Sequence, residues 1–293
     1  MDIQKYLEEK RELVDSYLER YFYPKIMPEI LHSAMTYSLF AGGKRIRPVF
    51  SLMSYECLGE NPLRILPQAS SLELIHTYSL IHDDLPAMDN DDMRRGKPTN
   101  HRVYGEAMAI LAGDGLLTEA FNMLTTNEGG LSDRALLRAV KDIAQKAGLY
   151  GMVAGQAQDI LSENSEPDKD TLEFIHSHKT AALITASLRL GPILAESDDN
   201  VLSLFTGYGN NIGMIFQIID DILDLTGDPS KTGKPTGSDE KKKKLTYPRL
   251  YGLDRSRQKA RELVEEAIEL ISGLGKGAEP LKEVALYLLK RSS

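Results

Sequence analysis

Apolar residues recur at steps of three and four along most of the chain, and the strict alternation that strands need is scarce. Residues 65–82 (ILPQASSLELIHTYSLIH) place Leu72, Ile75, Ser79 and His82 on one helical face, predicting a long helix. A second long helix is predicted over 198–224, running through GMIFQIIDDILD. Others fit 3–20, 48–57, 102–125, 133–147, 149–161, 170–189, 255–272 and 279–291. Turn formers at Glu60–Pro62, Asn127–Ser132, Ser162–Asp168 and Glu196–Asn200 separate them, and none of these breaks is long enough to link domains. The expectation is an all-α, single-domain bundle over 1–293. Segment 226–248 departs from the pattern: it is rich in glycine, proline and lysine and has no apolar period. Structureless stretches of that length inside a compact domain are often lids or binding loops.

Composition narrows the function. Of 293 residues, 42% are hydrophobic and 27% charged, enough for both a core and a hydrated surface. A net charge of −8 argues against a general nucleic-acid binder, which needs a basic face to displace counterions. Cys57 is the only cysteine and lies in an apolar stretch, so it reads as a buried, inert thiol. The N-terminus mixes acids and bases with helical period, unlike a signal or transit peptide. No apolar run approaches the roughly 20 residues that span a bilayer. A cytoplasmic protein without stable membrane association is expected.

Against this acidic background two aspartate clusters stand out. Asp83, Asp84 and Asp89 lie in HDDLPAMDNDDMRRG, and Asp220, Asp221 and Asp224 in QIIDDILD. Each interrupts an apolar helix near its C-terminal end, where the helix dipole disfavours negative charge and a cation must compensate. At roughly 100° per residue, Asp220 and Asp224 fall about 40° apart and can serve one ion. Asp83 and Asp89 would be about 120° apart on an ideal helix. Pro86 between them cannot continue a regular helix, so the chain is expected to unwind and bring Asp89 back. Carboxylates without cysteine and with few histidines favour a hard cation. Mg²⁺ takes one or two carboxylates and completes its shell with waters and substrate phosphates.

Basic groups accompany both clusters. GGKRIRP (42–48) sets Lys44, Arg45 and Arg47 beside two glycines at a predicted helix entry, a phosphate-binding chemistry. Arg94 and Arg95 follow the first cluster; Lys179-Thr180 and Lys234 flank the second. A metal-bridged polyphosphate substrate fits this set. His176 and His178 form a pair without a third ligand, so His178 is read as orienting the Lys179-Thr180 turn instead.

HDDLPAMDNDDMRRGKPTNH and FQIIDDILDLTGD…GKPTGSD…TYP resemble the two aspartate-rich motifs of the trans-prenyl diphosphate synthases. GGKRIRP, His76, GEAMAILAGDGLL and HKTAAL match as well, in order and over nearly the whole chain. The resemblance implies a bundle of roughly ten or more helices around a deep central cavity, the isoprenoid synthase fold, as a homodimer. It implies that Asp83 and Asp89 bind Mg²⁺ on one side of an allylic diphosphate and Asp220 on the other, with Asp84, Asp221 and Asp224 as outer or alternate ligands. Roughly two to three Mg²⁺ per active site would serve. Arg94, Lys179 and Lys234 would contact the allylic diphosphate. Lys44, Arg47, His76 and Arg95 would hold isopentenyl diphosphate. Thr180 and Gln217 would offer oxygen dipoles to the allylic cation, completing a catalytic set with Lys179, Asp83 and Asp220. One departure is Leu245, where relatives often carry Ser or Thr before Thr-Tyr-Pro.

The chemistry so implied is condensation of isopentenyl diphosphate with dimethylallyl and then geranyl diphosphate. Four residues between Asp84 and Asp89 resemble bacterial farnesyl and plant-type geranylgeranyl synthases. Tyr78, five residues before Asp83, would lie about 7.5 Å below it and floor the cavity; Ser79 is too small to do so alone. Farnesyl diphosphate is therefore the expected product, with a longer-product synthase as the rival. A terpene cyclase usually lacks a second site like DDILD. A noncatalytic subunit should have lost one motif, and a plain scaffold would not place acids on apolar helices.

Overall fold

The computed structural model describes residues 1–25, 27–163, 168–227 and 244–290. The all-α expectation holds. In order come α1 (Ile3–Phe22), α2 (Glu29–Leu39), α3 (Ile46–Cys57), a 3₁₀ turn (Pro62–Ile65) and α4 (Leu66–Asp83). A two-stranded hairpin, β1 (Met93–Arg94) and β2 (Lys97–Pro98), precedes α5 (Asn100–Tyr104) and α6 (Glu106–Thr125). Then follow α7 (Asp133–Ala147), α8 (Met152–Leu161), α9 (Lys169–Ile175), a π-helical turn (His176–Ala181), α10 (Ala182–Leu194) and α11 (Asp199–Thr226). The chain closes with α12 (Tyr247–Tyr251), α13 (Leu253–Ile271), a 3₁₀ turn (Ser272–Ala278) and α14 (Glu279–Lys290). Among the described residues no helix is long and apolar enough to cross a membrane.

Helix α4 is the axis of one core cluster. Its small polar residues Gln68, Ser70 and Ser71 are as buried as Leu72, Leu74 and Ile75, so every face meets a neighbour. It packs chiefly on α6. A second cluster forms around α11 and α13, with Phe205, Tyr208, Ile212, Ile215 and Ile219 facing Leu263, Val264 and Ala267. Helices α3 and α10 join the two: Leu52, Tyr55, Leu183 and Leu190 belong to the first cluster, Val49, Met53, Ile184 and Leu188 to the second.

Three elements differ from the sequence expectations. Helix α2 was not anticipated, because it buries only Ala34, Met35 and Leu39 and carries no strong apolar stripe. The helix expected over 102–125 is broken at Gly105, whose φ of 84° no helix admits. The one expected over 170–189 is instead α9, the π turn and α10, which runs on to Leu194 because the LGPIL end is buried throughout and Pro192 falls in its last turn.

Candidate active site

Helix α4 ends at Asp83, with Asp84 as its C-cap, and the chain unwinds through Pro86 as the sequence suggests. The Asp89 backbone N–H donates to the Asp83 carbonyl at 2.8 Å, folding the third aspartate back beside the first. Burial pushes the Asp83 carboxyl up to about 6; Lys179 works against that shift and Asp89 adds to it. Asp84 is 3% exposed and receives Arg94 in a two-pronged grip, Nε at 2.8 and 2.9 Å and Nη2 at 2.6 Å. Arg94 stands on β1, and the hairpin turns at Arg95 and Gly96, with φ of 52° and 75°. Two positive φ angles are what a tight two-residue hairpin turn requires.

That turn sends Arg95 to the Gly42–Gly43 segment. Its Nη1 donates to the Gly42 carbonyl, and its guanidinium lies where a Cβ on Gly43 would sit, 2.7 Å from Nη1. Arg45, the residue before α3, is buried and held by Asp15 at 2.7 Å, Glu73 at 2.8 Å and the Leu39 carbonyl at 2.7 Å. It fixes the loop, while Lys44 is exposed and Arg47 enters the first turn of α3. The Arg47 Nε is shut off from solvent with no hydrogen-bond partner. Its pKa is pushed down to about 10 by burial, against the pull of Glu73. Nearby, burial and then the charges of Arg47 and Arg95 hold the His76 imidazole well below its ordinary pKa, so it stays neutral. The structure thus brings Arg47, His76 and Arg95 together behind the first aspartate cluster.

The π turn supplies the opposite wall. π-Helical turns are frequent at functional sites, where the extra residue re-aims side chains relative to a regular helix. Lys179 Nζ lies 2.5 Å from Asp159 Oδ2 on α8, whose approach depends on Gly155: a Cβ there would meet the Lys179 backbone nitrogen at 2.1 Å. Thr180 Oγ1 donates to Gln217 Oε1 at 2.6 Å, and Gln217 Nε2 donates to Asp221 Oδ1 at 2.7 Å. Asp221 Oδ2 also accepts the Tyr247 backbone N–H at 2.8 Å and lies 3.3 Å from His176 Nε2. The second cluster therefore keeps its helix, with Asp220 exposed, Asp221 buried and Asp224 between. His178 stacks on Phe174 at 3.9 Å and contacts its carbonyl, anchoring the start of the turn that carries Lys179.

Asp159 and Lys244 went unnoticed in the sequence. Lys244 Nζ lies 3.2 Å from Asp89 Oδ1 and 3.9 Å from Asp159 Oδ2. Asp159 did leave a trace: it follows Met152 and Gly155 on the buried face of α8. Lys234 lies outside the described residues, as does most of segment 226–248. Tyr78 is 7% exposed, packs edge-on against His82 at 5.8 Å, and is pushed up to about 12 by burial and Asp83. The neighbouring Ser79 hydroxyl is half-buried and donates to the His76 carbonyl at 2.9 Å. Among the described residues no three acids, imidazoles or thiols gather into a closed metal cage. A desolvated carboxylate beside a second one still fits a hard divalent ion that draws its remaining ligands from a phosphate substrate.

An all-helical bundle with two aspartate clusters at its helix ends is the architecture of the isoprenoid synthases. The fold matches a geranyltransferase from Legionella pneumophila with a TM-score of 0.87 at 32% identity, covering 99% of this chain and 98% of that one. The polyprenyl synthetase family model matches residues 28–277, and the chain belongs to that family. It is 46% identical to the farnesyl diphosphate synthase of Geobacillus stearothermophilus over 91% of this chain and 90% of that protein. It is 44% identical to the geranylgeranyl diphosphate synthase of Cyanophora paradoxa over 98% and 96%.

Proposed function

We propose that the protein is a prenyltransferase that condenses isopentenyl diphosphate with dimethylallyl and geranyl diphosphate, releasing farnesyl diphosphate. The observation that carries this reading is the division of charge around α4. Carboxylates Asp83 and Asp89 face Lys179 and Lys244 on one side, and Arg47, Arg95 and neutral His76 sit on the other. Two diphosphates with different partners need such a divided site.

Asp83, Asp89 and Asp220 would hold Mg²⁺, with Asp84, Asp221 and Asp224 behind them; Mg²⁺ dependence is general in this family. When bound, the metal neutralises the leaving diphosphate. Arg94 and Lys179 would draw on the same diphosphate, Arg94 once it loosens from Asp84. The oxygens of Thr180 and Gln217, locked in one orientation by Asp221, present fixed dipoles to the allylic cation. Lys44, Arg47, His76 and Arg95 bind isopentenyl diphosphate; the unpaired Arg47 Nε is a donor waiting for an anion. The shared α3–α10 core supports a single domain. Ile110 and Leu111, 44% and 51% exposed on α6, support a homodimer.

Incubating pure protein with labelled isopentenyl diphosphate and each allylic primer, then measuring product length, tests the reading. Dominant C15 product is expected; dominant C20 would make it a geranylgeranyl synthase, and no product would sink it. Lys44→Ala, Arg47→Ala and His76→Ala should each raise KM for isopentenyl diphosphate by roughly 10–100-fold with little change for the allylic substrate. An equal loss for both would mean the two diphosphate sites have been confused.

A further inference from the structure

Gly213, Gln217 and Asp221 follow one another at steps of four on α11 and meet the π turn that carries His176 and Thr180. Gly213 lets the two backbones approach, since a Cβ there would lie 2.4 Å from the Ala181 Cα. The contact closes a chain of four side chains: Thr180 to Gln217 at 2.6 Å, Gln217 to Asp221 at 2.7 Å, and Asp221 to His176 at 3.3 Å. His176, Thr180 and Asp221 are all buried. The chemistry of these groups gives the chain a direction. The Tyr247 backbone N–H on Asp221 Oδ2 can only donate, and a carboxylate only accepts. Gln217 therefore turns its NH₂ to Asp221 and its carbonyl to Thr180, and that carbonyl takes the Thr180 hydroxyl hydrogen. His176 Nε2 backs the other carboxylate oxygen, while its Nδ1 is closed off from solvent without a partner.

We infer that His176 and Asp221 are positioning residues that set the polarity of the Thr180 hydroxyl, turning its hydrogen away from the allylic cation and leaving its lone pairs for it. The inference rests on the functional reading above and gives His176 a part in it. A hydroxyl free to rotate would present either end to a developing charge, whereas one held by an acceptor is oriented before the reaction begins. Asp221→Asn should reverse the chain. The Tyr247 N–H cannot turn over, so it keeps the side-chain oxygen and leaves an NH₂ facing Gln217. The Gln217 amide then flips, and the Thr180 hydrogen is driven toward the site. His176→Leu keeps the bulk beside Tyr247 but removes the nitrogen that backs Asp221. His176→Gln restores a donor near the position of Nε2.

A double-mutant cycle on the full chain tests this, because a residue that acts through Thr180 has nothing to act on once the hydroxyl is gone. Turnover per folded enzyme is measured with geranyl and isopentenyl diphosphates at saturating Mg²⁺. Asp221→Asn should lower kcat by roughly 10–100-fold and His176→Leu by about tenfold, with KM for both diphosphates within about twofold. In a Thr180→Val background, which is already slow, either change should cost less than about twofold more. His176→Gln should recover most of the turnover that His176→Leu loses. If His176→Leu does not fold, Asp221→Asn carries the same cycle. Losses as large in Thr180→Val as in wild type would overturn the inference, and would mark the two residues as structural or, for Asp221, as a metal ligand. An equal loss in His176→Gln and His176→Leu would overturn the part given to His176. If wild type forms no prenyl product, the functional reading falls; additive losses in active enzymes sink this inference alone.

Discussion

The two aspartate clusters share a composition and solve opposite structural problems. At the end of α4 the helix stops, Pro86 opens the chain, and the Asp89 N–H closes it onto the Asp83 carbonyl. Asp84 is then tied to Arg94 from the hairpin, and Asp89 to Lys244. On α11 the helix runs through the cluster to Thr226. There Asp221 turns inward and collects Gln217, His176 and the Tyr247 N–H, leaving Asp220 at the surface. In both clusters the middle aspartate, Asp84 or Asp221, is buried and held by protein groups, while the aspartate before it stays more exposed. The first is positioned by a loop that ion pairs hold, the second by a rigid helix.

The largest effect tests whether both sides work at all. Asp83→Ala and Asp220→Ala should each lower turnover by roughly 10²–10⁴-fold, or about 3–5 kcal/mol of transition-state stabilisation, at saturating Mg²⁺. Near-normal turnover in either variant would break the two-sided site. The next effect separates neighbours within the second cluster. Asp221→Ala strands a backbone N–H and an imidazole and should lower the unfolding free energy by about 2–4 kcal/mol. Asp220→Ala, at an exposed position, should stay within about 0.5 kcal/mol. Urea unfolding of the ligand-free variants measures both, and equal losses would refute the division of labour.

The second cluster was legible in the sequence and the first only half so. Regular helical spacing places Asp220 and Asp224 together, and α11 preserves it. For the first cluster Pro86 signalled a break, but nothing local told where Asp89 would be held, because Lys244 is 155 positions away. The same limit hid Asp159, whose partners come from other elements. Helix α2 escaped because its large apolar residues form no strong stripe on one face and few of them are buried. The π turn differs from α-helix by one residue, which side-chain periodicity does not register. Basic residues fared better, because GGKRIRP combines glycines and cations within one turn.

A smaller effect distinguishes the loop-held cluster by pH. The folded-state pKa of Asp83 is raised to about 6 from the ordinary 3.8. A raised carboxyl contributes stability that is fully present below about pH 4 and is lost as pH rises through about 6. The ligand-free protein should therefore lose stability from this group across that window. Asp83→Asn should flatten the dependence, as read from urea midpoints at a series of pH values. An unchanged slope would show that Asp83 ionises as it would in water.

The smallest effect on turnover concerns the residue one and a half turns before each cluster. Five positions before Asp83 stands Tyr78; five before Asp220 stands Ile215. Both are buried, yet their surroundings differ. Ile215 is fully enclosed in the α11–α13 core. Tyr78 keeps a small exposure, lies edge-on to His82 and feels the charge of Asp83, so its ring borders the site. Both truncations leave a cavity and should destabilise by about 2–5 kcal/mol. Only the cavity at Tyr78 should add room for a growing hydrocarbon chain, about 7.5 Å below the aspartates. Tyr78→Ala should shift products from C15 toward C20 and longer while turnover stays within about tenfold, or about 1.4 kcal/mol. Ile215→Ala should leave product length unchanged. Ser79, whose hydroxyl is already taken by the His76 carbonyl, is too small to replace the lost ring. An active Tyr78→Ala enzyme that still stops at C15 would move the floor of the cavity elsewhere, and lengthening in Ile215→Ala would place it against α11.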